Sequence, residues 1–224
     1  MKVICNRGAL LEALTIASSV VQARTPKPVL QCVKLTAADY RLTIAATDLE
    51  VAIRYSDTQV QIEQPGETLV QADKFRDIVR ESVDDTLSLH LEKEQLHIKG
   101  QDSHFKIFTQ PVSEFPPVPD FQGEADFEIQ GGHLKQLINQ TLFAAAKEST
   151  RYAFNGVLIS ANKNKKINLV STDGRRLAMA KGELNSATKL EKDGAKAIVP
   201  VKALTLIDKL IVDPEAQARS VDEN

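Results

Sequence analysis

Two stretches of this 224-residue chain repeat each other. "RLTIAATDLEVAI" at 41–53 and "KINLVSTDGRRLAMA" at 166–180 each run from an alternating apolar stretch through Thr-Asp into another, and Thr47-Asp48 and Thr172-Asp173 stand 125 residues apart. Upstream, "VLQCVKLTA" (29–37) and "FNGVLISAN" (154–162) keep that spacing, and the helix-like runs beginning at Gly8 and Gly132 stand 124 apart. Downstream, "LVQADKFRDIVRES" (69–82) is matched by "AIVPVKALTLIDKLI" (197–211), with Val70 on Val199, 129 apart. Segments that recur in order at near-constant spacing define a duplicated unit of about 125 residues.

Periodicity fills in the unit. Helices are expected over 8–22, 72–82, 132–147 and 201–211. The first carries Leu10, Leu14, Ala17 and Val21 on one stripe, and the third carries Leu134, Leu137, Ile138, Thr141, Leu142 and Ala145. Such spacing buries one side of a helix. Glu12, Thr15, Ser18, Ser19 and Gln22 are then expected on the outer face of the first, and Lys135, Gln136, Asn139 and Gln140 on that of the third. The Val-, Ile-, Leu- and Thr-rich segments between them alternate with period two and read as antiparallel strands. Each unit is therefore α+β, two helices packed on one side of an antiparallel sheet. "QPVSEFPPVPDFQGEAD" (110–126) has four prolines and reads as the linker. This sets a first domain at 1–125 and a second at 126–224. On the 129-residue spacing Asn224 corresponds to residue 95, so the second domain is expected to be truncated and a third absent.

Function classes narrow by exclusion. There is no phosphate-binding glycine loop, no dinucleotide fingerprint and no nucleophile elbow. His90, His97, His104 and His133 have no ligand spacing, and His90 and His97 read as surface or pleat residues of strands. Neither metal nor cofactor is expected. Cys5 and Cys32 alternate with apolar neighbours and read as buried thiols of a reduced, intracellular protein. Asp48 and Asp173 form a tempting carboxylate pair for a hydrolase, yet each occupies the same place in its own repeat after a Thr. Turn-forming side chains account for that better than catalysis does. The start, MKVICNRG, lacks the apolar core of a secretory signal, and no run is apolar enough to span a membrane. The formal net charge is -2, while the four helices with their flanks carry nine basic against six acidic side chains. That bias fits ordinary solvated faces, and it also fits a weakly basic surface that meets a polyanion without reading it.

"RTPKPVL" (24–30), "ATDLEVAI" (46–53), "ADKFRDIVR" (72–80), "EFPPVPDF" (114–121), "STRYAFNGVLI" (149–159), "STDGRRLA" (171–178) and "IVPVKAL" (198–204) occur in that order. Together they resemble the bacterial sliding-clamp family, the beta subunits of replicative DNA polymerase. The resemblance implies a DNA clamp fold: three similar domains per subunit, in a head-to-tail homodimeric ring whose helices line the pore. It implies a non-enzymatic processivity factor, cytoplasmic and nucleoid-associated, that encircles duplex DNA without sequence preference and has no membrane partner. It implies docking of the replicative polymerase, the clamp loader and repair polymerases through short peptide motifs. The DNA-contacting positions it implies are Arg24, Lys147, Arg151 and Tyr152, with Glu148 where relatives carry a neutral polar residue. The peptide pocket it implies involves Phe154, Thr172, Gly174, Arg175, Arg176 and Leu177. Arg175 stands where relatives often have His, and Phe154 where they often have an aliphatic residue. The subunit seam it implies uses the edge strand 103–109, with Phe105 and Ile107, and the helix bearing Lys74. The other reading is a truncated clamp paralogue, a non-encircling scaffold or decoy.

Overall fold

A computed structural model describes residues 1–22, 24–118, 123–146, 154–190 and 194–211. The chain divides into two units, Met1–Asp120 and Phe121–Asn224.

The first unit runs β1 (Lys2–Asn6), α1 (Arg7–Ser18), β2 (Cys32–Ala38), β3 (Arg41–Thr47), β4 (Ala52–Asp57), β5 (Val60–Gln64), β6 (Gly66–Gln71), α2 (Ala72–Glu81), β7 (Thr86–Glu92), β8 (Gln95–Lys99) and β9 (His104–Gln110). Its sheet has the order β4-β3-β2-β6-β9-β8-β7-β1-β5, antiparallel throughout. Asn6 caps α1, its side-chain oxygen accepting from the Ala9 amide at 3.0 Å. The apolar stripes of α1 and α2 face each other and the sheet, with Leu10, Leu14, Phe75 and Val79 wholly enclosed. Strand burial alternates, as in Cys32–Ala38, because successive side chains point to opposite faces.

The second unit runs α3 (Gly131–Asn139), β10 (Gly156–Ala161), β11 (Lys166–Thr172), β12 (Leu177–Glu183), β13 (Ala195–Pro200) and α4 (Val201–Leu210). Its sheet order, β12-β11-β10-β13, reproduces β4-β3-β2-β6 of the first unit. Leu137, Ile138, Val157, Ile167, Leu169 and Leu204 form its core between sheet and helices.

Ladder register shows where the repeat changes length. Ala37 pairs with Leu42, and Ala161 with Ile167. The strand β10 is thus 124 residues from β2, while β11 is 125 from β3. The expected spacing of 125 for the first of these strands is off by one. Burial agrees: Val33 and Val157 are both fully enclosed, whereas Leu158 is 38% exposed. A slip of one residue exchanges the two faces of a strand, so the core side fixes the alignment. The extra residue lies in the hairpin. Asp39 and Tyr40 turn the first with φ of 49° and 59°. The second turns through Lys163–Lys165, with Lys165 at φ 58° and Asn162 Oδ1 accepting from the amides of Asn164 and Lys166. The β1–β5 pairing also has a remnant. Ile4 pairs with Gln61, and Glu128 bridges Ser186 at the matching place.

Several expectations are corrected. The first helix ends at Ser18, where Ser19 and Val20 close 3₁₀-type bonds to Ile16 and Ala17. That tighter turn encloses Val20 fully and leaves Val21 half-buried. Ser18, expected outside, is buried. The third helix ends at Asn139, and Leu142–Ala144 form a separate 3₁₀ turn. There the Thr141 hydroxyl donates to the carbonyls of Leu137 and Ile138, at 2.9 and 3.2 Å, competing with helix continuation. Lys135 is half-buried and donates to the Ile211 carbonyl at 3.1 Å instead of facing outward. Part of the expected linker belongs to the first unit: the 3₁₀ turn Val112–Glu114 packs on β6, and Arg54 donates to the Val118 carbonyl at 2.5 Å. His97 is buried rather than at the surface, with Nδ1 2.9 Å from Nε2 of His104. Cys5 and Cys32 are buried free thiols as expected, and burial pushes their pKa values up to about 12 and about 11. Among the described residues no group of three or more side chains is arranged to hold a metal ion, and no helix is long and apolar enough to cross a membrane.

Candidate functional site

Strand β11 leaves the core at Thr172, and the turn that follows is built by two side chains. The Thr172 hydroxyl donates to the Arg176 carbonyl at 2.7 Å and accepts from the Gly174 amide at 3.1 Å. Asp173 Oδ1 accepts from the amides of Arg175 and Arg176, both at 3.0 Å. These two amides, first that of Arg175, hold the Asp173 carboxyl below the usual carboxylate range. Gly174 has φ 88°, a left-handed conformation that favours glycine.

The first unit builds the same turn. The Thr47 hydroxyl donates to the Val51 carbonyl at 3.0 Å and accepts from the Leu49 amide at 3.0 Å. Asp48 Oδ1 accepts from the amides of Glu50 and Val51 at 3.1 and 2.8 Å. Both aspartates are therefore turn formers with their acceptor oxygens engaged, which is how the repeat is expected to use them.

What differs is the surface around the second turn. Arg176 folds back: its Nε donates to Asp173 Oδ2 at 3.1 Å, a terminal nitrogen donates to the Phe143 carbonyl at 2.8 Å, and the guanidinium lies 5.7 Å from the Phe143 ring centre. Phe154 reaches the turn, 3.9 Å from where a Cβ on Gly174 would sit. Leu177 is 65% exposed and Phe143 60%. The turn is pinned from below by Ser171, whose hydroxyl donates to the Thr141 carbonyl at 2.5 Å. The structure thus brings Phe154, Thr172, Gly174, Arg176 and Leu177 together. It leaves the Arg175 side chain exposed beside them and adds Phe143, which sequence reading assigned to a helix.

The other expected positions are scattered. Lys147, Arg151 and Tyr152 lie outside the described residues. Arg24 is exposed, six residues past the last residue of α1. The strand β9 is not a simple edge: it pairs with β8 along 104–108 and meets β6 only at Thr109 and Gln110. Ile107 is buried, so the exposed aromatics of this strand are Phe105 and Phe108, at 42% and 73%. Phe108 and Lys74 line one groove of about 500 Å³. Alternation alone marks Phe108 as opposite in face to Ile107. On α2, Arg76 pairs with Asp73 at 3.1 Å and Arg80 with Asp77 at 3.3 Å, and with Lys74, Arg76 and Arg80 against Asp73, Asp77 and Glu81 this helix has no basic bias of its own.

Residues 1–119 match the model of the DNA polymerase III beta subunit, N-terminal domain, and residues 128–221 match that of its central domain. A beta sliding clamp of Pseudomonas putida is 34% identical over 220 residues, covering 96% of this chain and 58% of that protein. The DNA polymerase III subunit beta of Pseudomonas aeruginosa, a crystal structure, matches with a TM-score of 0.87 at 33% identity, covering 96% of this chain and 58% of that one. A second structure of the sliding clamp from that organism, bound to griselimycin, matches with a TM-score of 0.86 at 32% identity, covering 95% and 57%. The chain thus spans somewhat over half the length of the relatives it matches.

Proposed function

The chain belongs to the DNA polymerase III beta-subunit family, the beta sliding clamps, and from that membership we propose that it supplies two repeated units of a processivity clamp. In this reading the complete protein encircles duplex DNA without reading its sequence. It tethers a replicative polymerase, and it performs no catalysis. The observation that carries the reading is the tandem order of the two domain matches, residues 1–119 and 128–221, each over one α+β unit. Topological enclosure retains a ring on DNA without tight contacts, so a modest basic bias is sufficient. A strong grip would slow sliding.

The docking site for short partner peptides in this reading is the surface around Phe154, Thr172, Gly174, Arg175, Arg176 and Leu177. Exposed Leu177 and the Phe143 ring offer apolar surface, the paired Arg176 frames it, and the hydrogen-bonded turn presents it without further ordering. Arg24, Lys147, Arg151 and Tyr152 are the proposed phosphate contacts. Lys74, Phe105 and Ile107 are the proposed seam, with Phe108, on the opposite face of the strand, beside Lys74. A cytoplasmic location and a homodimeric ring belong to the same proposal.

The test is retention on circular DNA. Protein purified from its own source is loaded onto a nicked plasmid by the cognate loading machinery and filtered through a sizing column. The reading expects co-elution with the circle and loss on linearisation. Equal retention on circular and linear DNA would overturn it.

A further inference from the structure

Three histidines converge on the outer face of the first sheet. Register sets Lys2 of β1 beside His90 of β7, His90 beside His97 of β8, and His97 beside Lys106 of β9. The adjacent row sets Lys99 beside His104, so His97 and His104 are diagonal neighbours on one face. Their rings stack with centroids 5.1 Å apart, and Nδ1 of His97 stands 2.9 Å from Nε2 of His104. The His90 ring centre is 6.3 Å from that of His97. His97 is buried and His104 is exposed.

The surroundings disfavour added positive charge on the pair. Burial, Lys99, His97 and Lys106, in that order, hold the His104 imidazole below its ordinary titration range. Lys2 is engaged by Glu63 of β5 at 2.7 Å. On β7, Glu92 approaches His97 Nε2 at 3.9 Å, the nitrogen that His104 does not use. Lys93 and Glu94 of the β7–β8 turn line the same hollow as Glu92, His97 and Lys106. Asp84 accepts from the Gln101 amide in the turn before β9. The strand under this pair is held from one side. Its 104–108 stretch is laddered to β8, and β6 takes over only at Thr109 and Gln110.

We propose that His97 and His104 form an acid-sensitive latch: protonation of both breaks their contact and loosens the His104–Phe108 stretch of β9 from β8, while its far end stays on β6. At 2.9 Å one ring nitrogen must donate and the other accept. A neutral pair satisfies this, and so does a pair with one added proton. A second added proton sets two N–H groups against each other, with Lys99 and Lys106 beside them. The lowered folded titration of His104 fixes the sign. The open strand binds more protons than the closed one, so the hold on β9 is full above the ordinary imidazole range. It is lost as the pH falls through the folded value. The stretch carries Phe105 and Ile107 of the proposed seam, but the latch lies within one unit and stands whether or not that seam forms.

The test is hydrogen exchange of the purified protein at pH 7.5 and pH 5, read by mass spectrometry and corrected for the intrinsic pH dependence of exchange. Protection of peptides covering 104–108 is expected to fall at least tenfold at the lower pH, with peptides covering 33–47 unchanged. His104→Gln, at an exposed position, should abolish the fall, and His90→Gln should leave it intact. Exchange of the imidazole C2 hydrogen should place the His104 midpoint below 6.5, moving upward in Lys99→Gln. Equal protection of 104–108 at both pH values overturns the proposal. So does an equal fall in 33–47, which would be general acid unfolding. A fall that persists in His104→Gln, or that disappears in His90→Gln, overturns the assignment to this pair.

Discussion

Leu49 holds φ at 77° in the turn position where Gly174 holds 88°. Both residues follow a Thr-Asp pair with the same four hydrogen bonds, so the conformation is imposed by the flanking side chains and not by glycine. The left-handed region costs a residue with a Cβ roughly 1–2 kcal/mol. Leu49→Gly is therefore expected to stabilise the first unit by about 0.5–1 kcal/mol, since the exposed leucine contributes little packing. Gly174→Ala is expected to destabilise the second unit by about 1 kcal/mol through strain alone. Urea unfolding of the two variants should show opposite signs. The same sign in both would mean that packing around the turns outweighs backbone conformation.

Asp173 is held ionised by backbone amides first and by the Arg176 side chain after them. A carboxylate with a lowered folded pKa contributes its stabilisation above its unfolded pKa and loses it as the pH falls through the folded one. The turn should stay ordered when ordinary exposed carboxylates are already protonated. Carboxyl-carbon NMR is the measurement. Arg176→Ala should raise the Asp173 midpoint only modestly, because the amide donors remain. A return to the ordinary range would reverse the order of causes.

Ser171 ties the start of the turn to Thr141, and both residues are buried. Ser171→Ala removes one of two donors to the Thr141 carbonyl and leaves it the Ala144 amide at 3.0 Å, at a cost of about 0.5–1.5 kcal/mol. Thermal unfolding should show the loss. Ser171→Cys, with a weaker donor of similar shape, should fall between the two.

The thiols of Cys5 and Cys32 are buried, and their pKa values are raised to about 12 and about 11 by burial. Few thiolates exist at pH 8, and access is closed. Ellman's reagent should react with neither in native buffer and with both in denaturant. Rapid reaction of one thiol in native buffer would mark local opening of its strand.

How much of this was readable beforehand follows from what each signal measures. Periodicity and repetition located β3 and β11 and the Thr-Asp turns, because strand alternation and Asx chemistry are local. The family resemblance named Phe154, Thr172, Gly174, Arg176 and Leu177, and the fold brings them together. Alternation could not end the third helix, because Thr141 does so with its own hydroxyl. It could not show that Arg176 turns onto Phe143, or that Lys135 serves the Ile211 carbonyl. Those contacts join residues 33 and 76 positions apart. The proline-rich 111–118 segment read as linker from composition, whereas its partner Arg54 lies 64 residues away. Long-range polar contacts of this kind leave no periodic trace.

The longer hairpin at Lys163–Lys165 has a practical meaning. A residue added at that tip changed the numbering of every later strand without exchanging the core and outer faces of any of them. The tip is exposed, and its turn is closed by Asn162, whose side chain accepts from the Asn164 and Lys166 amides and whose carbonyl accepts from the Lys165 amide at 3.1 Å. It is accordingly a permissive point for splicing in a fluorophore loop or an affinity tag, as exposed turn tips generally are. A single deletion three residues earlier, inside β10, would instead point Leu158 inward and Val157 out.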